Sequence, residues 1–505
     1  MSSLPLEGYA TEPSVVQGDT LELHFRSEHP TYQLVVLQQQ LSLVEIAQFG
    51  SYEGHAWSIP DSAWYGCDWP TTQRIPIPES WSPGAYLARA TAGVDSTRLP
   101  FVVRARVPGS HGSILVQLST NTWQAYNRYG GKSLYGAYRP GLVSRAHRVS
   151  FLRPQEGTEF QTYWEYPFIS YLEREHFDYE VCTNYDLHRD PHLLEAYRVF
   201  VSVGHDEYYS KEMFDALERF ADTGGALAFF SANTLWWQVR FEDNGHTLVC
   251  FKNSSLDPLL GVDDSRVTVN WHSWPVLRPP ARLMGGYFSD SWGITEAPYV
   301  VQDPHHWVFA GTSVSVGQAF GYPMVGFEAD ARTADSPANV QVIARADVPD
   351  LNSGGVLRPA EMVFHERPGG GVVFAGGTVN YTQGLVQYYN RSTETFGTLD
   401  PVAIAVTNNV LRRFSAEQES NALPSEFSLS IRTATIDTGF RLWLTASEPA
   451  RAALYDVAGR RVNLLSLLSS GMSSFDLRNT PSGIYFLCVR LDGRPDVTYK
   501  VPLVK

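Results

Sequence analysis

Three ionisable side chains stand side by side at His205, Asp206 and Glu207. An imidazole titrates near neutrality and can take or return a proton, while carboxylates can hold a cation or orient a proton donor. Three such groups are costly to leave partly buried without partners, so a metal ion or mutual salt bridges should satisfy them. The plainer alternative is an acidic helix start, with Asp206 and Glu207 stabilised by the helix dipole and His205 satisfied by a neighbouring strand. Position favours a site. The triplet follows Val199-Phe200-Val201-Ser202-Val203 and Gly204, a β-branched and aromatic run that reads as a buried parallel strand. Open α/β sheets bind ligands just beyond the carboxyl ends of such strands.

Other polar candidates are weaker by residue type. Ile114-Leu115-Val116-Gln117-Leu118 reads as a second buried strand and also ends in polar sequence, with Tyr126 among Trp, Gln and Asn. A tyrosine alone is more often core than chemistry. Asn233 and Trp236-Trp237 close a later strand and read as packing or pocket wall. His365 and Glu366 precede the glycine turn 369–371, where a carboxylate is usually solvated. Asp206 and Glu366 could also serve as the carboxylate pair of a carbohydrate hydrolase, which their separation would test. GxSxG and Walker motifs are absent, so serine-hydrolase and nucleotide readings lack their signatures.

The elements that must position these residues follow from periodicity. Ser210 can cap a helix whose apolar face is Met213, Phe214, Leu217 and Phe220. Gly224-Gly225 end that helix, and residues 226–230 begin another strand, giving strand, loop, helix, strand. Residues 1–104 alternate and turn like a small immunoglobulin-like β-sandwich. Residues 105–415 form an α/β body, with helices expected at 167–176, 190–196 and 402–414, a short strand at 179–182, and strands returning from 361. Residues 245–360 read as long and irregular, rich in Trp, Pro and Gly, and as elaborating the sheet or covering the site. A polar linker, 416–424, leads to a second small sandwich at 425–505.

The 505 residues allow two to four domains. A net charge of −14 argues against nucleic acid or an anionic membrane as the main partner, and no apolar run is long enough to span a bilayer. Met1-Ser2-Ser3-Leu4 opens no signal segment, which leaves a cytoplasmic protein or a missing leader. Cys67, Cys182, Cys250 and Cys488 form no CxxC pair, which disfavours a zinc knuckle.

Residues 1–415 resemble the large (beta) subunit of N,N-dimethylformamidase and its relatives. The resemblance is carried by Asp68-Trp69-Pro70 with Ile75-Pro76-Ile77-Pro78, Ser82-Pro83-Gly84-Ala85-Tyr86, Gln124-Ala125-Tyr126-Asn127 with Gly130-Gly131 and Ser133-Leu134-Tyr135. It continues through Gly204-His205-Asp206-Glu207-Tyr208 and Glu366-Arg367-Pro368-Gly369-Gly370. It implies a glutamine-amidotransferase-like (Rossmann-like) α/β body flanked by sandwiches, and a mononuclear ferric ion, Fe(3+), held by Tyr86, Tyr126 and Glu207. It further implies His205 as the base, Glu366 as a second acidic contributor, and Asp206 as a residue that orients His205 or holds the loop. Hard oxygen ligands suit a hard trivalent cation. The implied reaction is hydrolysis of a small amide, with a small accessory subunit or self-association as the partner expectation. Tyr209 stands where relatives often carry tryptophan, so the pocket wall is expected to differ. Leu454 to Val462, Pro481-Ser482-Gly483-Ile484-Tyr485-Phe486 and the final Lys500 to Lys505 resemble a type IX secretion sorting domain, which implies export. The competing class is a secreted ligand- or carbohydrate-binding protein on the same fold.

Overall fold

The computed structural model describes residues 4–157, 160–387, 389–390, 395–396 and 399–416, and in the tail 429–436, 439–446, 451–457, 460–466, 471–490 and 497–503. The chain divides into two compact units, Met1–Ala416 and Glu417–Lys505. The linker expected at 416–424 lies, beyond Ala416, outside the described residues.

The first unit opens with two small sheets. One has three strands, with Thr20–Ser27 between Leu6–Ala10 and Gln73–Pro76; the other runs Ser14–Val16, Asp95–Arg104, Gly84–Ala92, Thr31–Gln39, Leu43–Glu53. Side chains alternate across a pleated strand, and Gly84–Ala92 uses both faces. Tyr86, Ala88 and Ala90 point into the sandwich core with Leu23, Phe25, Leu34 and Phe101. Ala85 and Leu87 point outward onto Leu118, Trp123, Tyr166 and Ile169 of the α/β body. Pro76 sits on an edge strand, where a missing N–H costs no ladder bond.

The body is built on a nine-stranded sheet, and it also holds a four-stranded sheet, Arg148–Ser150, Thr247–Val249, Trp237–Glu242, Tyr208–Ser210, and the short pair Tyr389–Asn390 and Thr395–Phe396. The first half of the nine-stranded sheet is parallel, in the order Tyr179–Thr183, Ile114–Leu118, Val199–His205, Ala226–Ala232, Val372–Ala375. Its second half is antiparallel, in the order Val356–Glu366, Gln341–Asp350, Tyr287–Val301, Ala319–Ala331. Every residue of the central strand Val199–His205 is buried. Val199, Val201 and Val203 meet the helices Glu165–Arg174 and Pro401–Ser415 on one face; Phe200 meets Met213, Phe214 and Leu217 of Lys211–Asp222 on the other. Each fully buried side chain of this size contributes roughly 1.5–3 kcal/mol. Ser210 caps Lys211–Asp222, its hydroxyl accepting from Met213 N at 3.3 Å.

One local expectation is corrected. Residues 190–196 hold only a short 3-10 turn, Leu193–Ala196, and the helix lies earlier, at Asn184–Arg189. A capping box between Thr183 and Asp186 starts it there. The stretch 245–360, irregular in pattern and read as elaborating the sheet or covering the site, supplies most of the antiparallel half. Bulges shift the register of the 287–301 and 319–331 pair several times, and Pro323, Pro349 and Pro359 lie within the strands. Both features erase the two-residue alternation that marks a strand.

The second unit packs a three-stranded sheet, Leu429–Ile436, Gly439–Ala446, Gly471–Arg478, with a four-stranded one, Arg461–Ser466, Arg451–Tyr455, Gly483–Arg490, Val497–Leu503. Leu442, Leu444, Leu454, Leu487 and Val489 form its core. Of the stretch Leu454 to Val462 that resembles a sorting domain, Ala458 and Gly459 lie outside the described residues.

Candidate functional site

Chemistry gathers at the carboxyl end of the parallel strands. Gly204 adopts φ +68°, and a Cβ there would lie 2.5 Å from Cβ of Trp164; only glycine lets the strand turn under that tryptophan. His205 follows, 1% exposed. Its Nε2 lies 3.0 Å from Oε2 of Glu328 and 3.5 Å from Oε2 of Glu207, with Asn233 Nδ2 at 3.4 Å. Burial opposes charge on the ring, but the carboxylates of Glu328, Glu207 and Asp206 outweigh it and push the pKa up to about 9. His205 therefore carries its proton at neutrality.

Asn233 ends the Ala226–Ala232 strand in a left-handed conformation, φ +50°. Its backbone N–H donates to Asp330 at 2.8 Å and its amide donates to Glu328 Oε2 at 2.8 Å. The turn thus holds Glu328 against the imidazole.

Glu207 faces the same ring nitrogen as Glu328. Its N–H donates to Thr122 Oγ1 at 3.0 Å. One carboxylate oxygen accepts a short hydrogen bond from the Tyr135 hydroxyl, while Oε2 is buried without a hydrogen-bond donor. Burial raises this carboxyl above its ordinary range, opposed by His205 and Lys252. Tyr135 stacks on Tyr126 with ring centroids 4.1 Å apart. Tyr135 is 38% exposed as a residue, and its hydroxyl is bonded to Glu207. Burial, then the charge of Glu207, hold both phenols well above the usual tyrosine range. Beneath them Lys252 places Nζ 3.3 Å from the Tyr135 ring centroid and 4.5 Å from that of Trp237. It donates to the Tyr208 hydroxyl at 2.7 Å. Burial, partly offset by Glu207, lowers the ammonium pKa to about 8.

Asp206 has a different part. Gln117 donates to it at 2.7 Å, Asn184 at 3.1 Å, Ser202 at 3.0 Å and Tyr209 at 2.5 Å. This buried carboxylate ties the loop to the strand ends; burial raises its pKa and these donors lower it.

Of the residues singled out in the sequence, His205, Glu207 and Tyr126 come together here. Tyr86 does not join them. Its ring stacks on Trp81 and packs on Phe101 within the N-terminal sandwich, and its hydroxyl donates to the Ser82 carbonyl at 2.5 Å. The tail repeats the device: Tyr485 donates to the Pro481 carbonyl at 2.9 Å. Both tyrosines follow a Ser/Pro-Gly turn by two residues, a way to tie a strand to its turn in a sandwich. Glu366 is also apart. It is exposed and pairs in register with Val372 beside the glycine hairpin, while Asp206 is saturated with donors, so the two do not face each other across a cleft.

Tyr135, Glu328 and Lys252 belong to the site and were not singled out by sequence reasoning. Tyr135 was within reach, since Ser133-Leu134-Tyr135 belongs to the motifs already quoted. Glu328 left a fainter signal: together with Asp330 it places two acids in an otherwise apolar run, Val325 to Ala331.

Among the described residues no cluster of three or more His, Cys, Asp and Glu side chains is disposed to hold a metal ion. Tyr126, Tyr135 and the donorless Oε2 of Glu207 could supply hard oxygens of the kind a trivalent cation prefers.

A family model described as N,N-dimethylformamidase beta subunit-like, C-terminal, matches residues 44–393. The N,N-dimethylformamidase beta subunit of Paracoccus aminophilus is 25% identical over 233 aligned residues, covering 38% of this chain and 30% of that protein. That of an Alcaligenes species is 31% identical over 121 residues, covering 22% of this chain and 16% of that protein. The chain thus spans at most 30% of the length of these curated relatives. A crystal structure of an FMN-binding beta-glucuronidase from Facaelibacterium prausnitzii L2-6 aligns over 99% of this chain and 74% of that chain, at 8% identity and a TM-score of 0.17. That score is too low to bear on fold or function.

Proposed function

The chain belongs to the N,N-dimethylformamidase beta subunit-like family, and on that footing we propose that it hydrolyses a small amide to a carboxylic acid and an amine. The observation that carries this reading is the His205–Glu328 pair, at 3.0 Å, set beside Glu207 and two stacked phenols. We propose that Tyr126, Tyr135 and Glu207 hold a mononuclear ferric ion. Tyr135 takes the place that the resemblance had suggested for Tyr86. Such an ion, when bound, supplies Lewis-acid polarisation and a more acidic water.

The protein's own residues handle the protons. Water adds its oxygen to the amide carbon, the C–N bond breaks, and one proton must move from that water to the departing nitrogen. His205, charged at neutrality and backed by Glu328, is placed to give that proton to the amine. The Glu328–His205 pair, not the imidazole alone, then recovers a proton from water. Burial of this pair keeps bulk water from competing for either proton. The carboxyl-end position of the cluster supports a glutamine-amidotransferase-like reading of the parallel half.

Metal analysis with a visible absorption spectrum tests the site, and amine release from N,N-dimethylformamide tests the reaction. Iron with a phenolate charge-transfer band, and turnover abolished by Glu207→Ala, is the expected result. Protein that stays colourless and metal-free after iron is offered would overturn the metal assignment.

The relatives are named as beta subunits, which supports a small accessory subunit or self-association as a further proposal; sizing with and without co-expressed partners tests it. The tail sequence supports export through a sorting sandwich, tested by whether residues 417–505 carry a fused reporter to the surface of a type IX-secreting host.

A further inference from the structure

Two consecutive residues, Phe327 and Glu328, both reach His205. The Phe327 ring centroid lies 5.7 Å from the imidazole, and Glu328 Oε2 lies 3.0 Å from Nε2. Neighbours in a regular strand point to opposite faces, so this requires a break in the pleat. The break is at Phe327, whose φ is +67°, a conformation that is an outlier for a bulky side chain. Register shifts flank the Ile294–Phe327 pair on both sides, and bulges of this sort re-aim side chains next to sites.

The surroundings hold the conformation. Gly326 N–H donates to Thr378 Oγ1 at 3.1 Å, and the Thr378 hydroxyl bonds the Met324 carbonyl at 3.0 Å. A Cβ on Gly326 would lie 2.6 Å from Asn380 Nδ2, and the same amide accepts from Trp164 Nε1 at 3.1 Å. The strain does not serve core burial, because Phe327 is 43% exposed whereas Trp164 is 4% exposed. What the conformation achieves is a ring set edge-on against Trp164 at 5.5 Å. With Phe160, 5.5 Å from Trp164 and 5.2 Å from Tyr126, these side chains enclose the histidine, and Phe327 is the one at the solvent edge.

We propose that Phe327 is a specificity-determining residue, a rim that limits the size of the amide substituent admitted to His205. This rests on the amide reading above. A pocket wall that excludes extra methylenes discriminates by about tenfold or more.

The test compares wild type, Phe327→Gly and Phe327→Leu with N,N-dimethylformamide and N,N-dibutylformamide. Both amine release and equilibrium binding by ligand-observed NMR are measured. Glycine accepts the left-handed backbone, so Phe327→Gly should fold with an undiminished thermal midpoint; leucine keeps bulk at the rim. Wild type and Phe327→Leu should favour the small amide at least tenfold, and Phe327→Gly should lose most of that preference by gaining the large one. An unchanged preference in Phe327→Gly overturns the proposal while leaving the amide reading intact. If neither amide is hydrolysed but binding discriminates by size in wild type and not in Phe327→Gly, the reaction assignment fails and the rim stands. If neither amide binds either form, both fall.

Discussion

Nε2 of His205 lies 3.0 Å from Oε2 of Glu328, joining the end of a central parallel strand to the outermost strand of the antiparallel half. The sheet must curl for this to happen, and the isolated bridge between Ala329 and Thr378 marks where the outer strand returns over the parallel strands. The site is assembled by that curl.

Glu328→Gln keeps the shape of the contact and removes its charge. The principal group holding the His205 proton is then gone, and the imidazole pKa falls. Amide turnover should drop about 10²–10⁴-fold, the usual worth of positioned acid–base catalysis, with metal content unchanged. Steady-state kinetics with ring-nitrogen NMR of His205 checks both parts.

Tyrosine substitutions separate site from scaffold. Tyr126→Phe and Tyr135→Phe should each weaken or shift the phenolate band and lower iron content. Tyr86→Phe should leave both unchanged and cost about 1 kcal/mol of stability, the worth of its lost hydrogen bond to Ser82. Metal analysis, visible absorption and urea unfolding read these outcomes.

Glu165 makes stability depend on pH. It is fully buried, accepting from Trp123 Nε1 at 3.0 Å and from the Ser119 hydroxyl. Burial, opposed by those donors, raises its pKa to about 7. The folded state therefore binds more protons than the unfolded state between the ordinary carboxylate value and about pH 7, and stability falls as pH rises through that window. Glu165→Gln should remove a slope on the order of 3 kcal/mol across it. Unfolding free energies of wild type and variant from pH 5 to pH 8 measure the difference.

Gly204→Ala should be destabilising by about 1–3 kcal/mol. Its Cβ would meet Trp164 at 2.5 Å, and its backbone sits at φ +68°. Trp164 would move from beside His205, so turnover should fall along with the melting temperature. Calorimetry with the kinetic assay detects both.

The local pattern of the chain determined the central strand, its loop and the Ser210-capped helix, because burial and periodicity there depend only on neighbours in sequence. His205 and Glu207 could be picked out for the same reason, standing in polar sequence just after a buried run, whereas Tyr126 was carried by the family resemblance. The choice between Tyr86 and Tyr135 was of another kind. Both lie in motif sequence, and only packing shows one hydroxyl committed to the Ser82 carbonyl and the other to Glu207. The strands within 287–366 were hidden because bulges and prolines break the two-residue period, and Glu328 was hidden with them. Its role depends on a curl of the whole sheet and on a left-handed Phe327, both set by contacts between residues far apart in the chain. Such contacts leave no periodic trace in the sequence, and only the tertiary structure decides them.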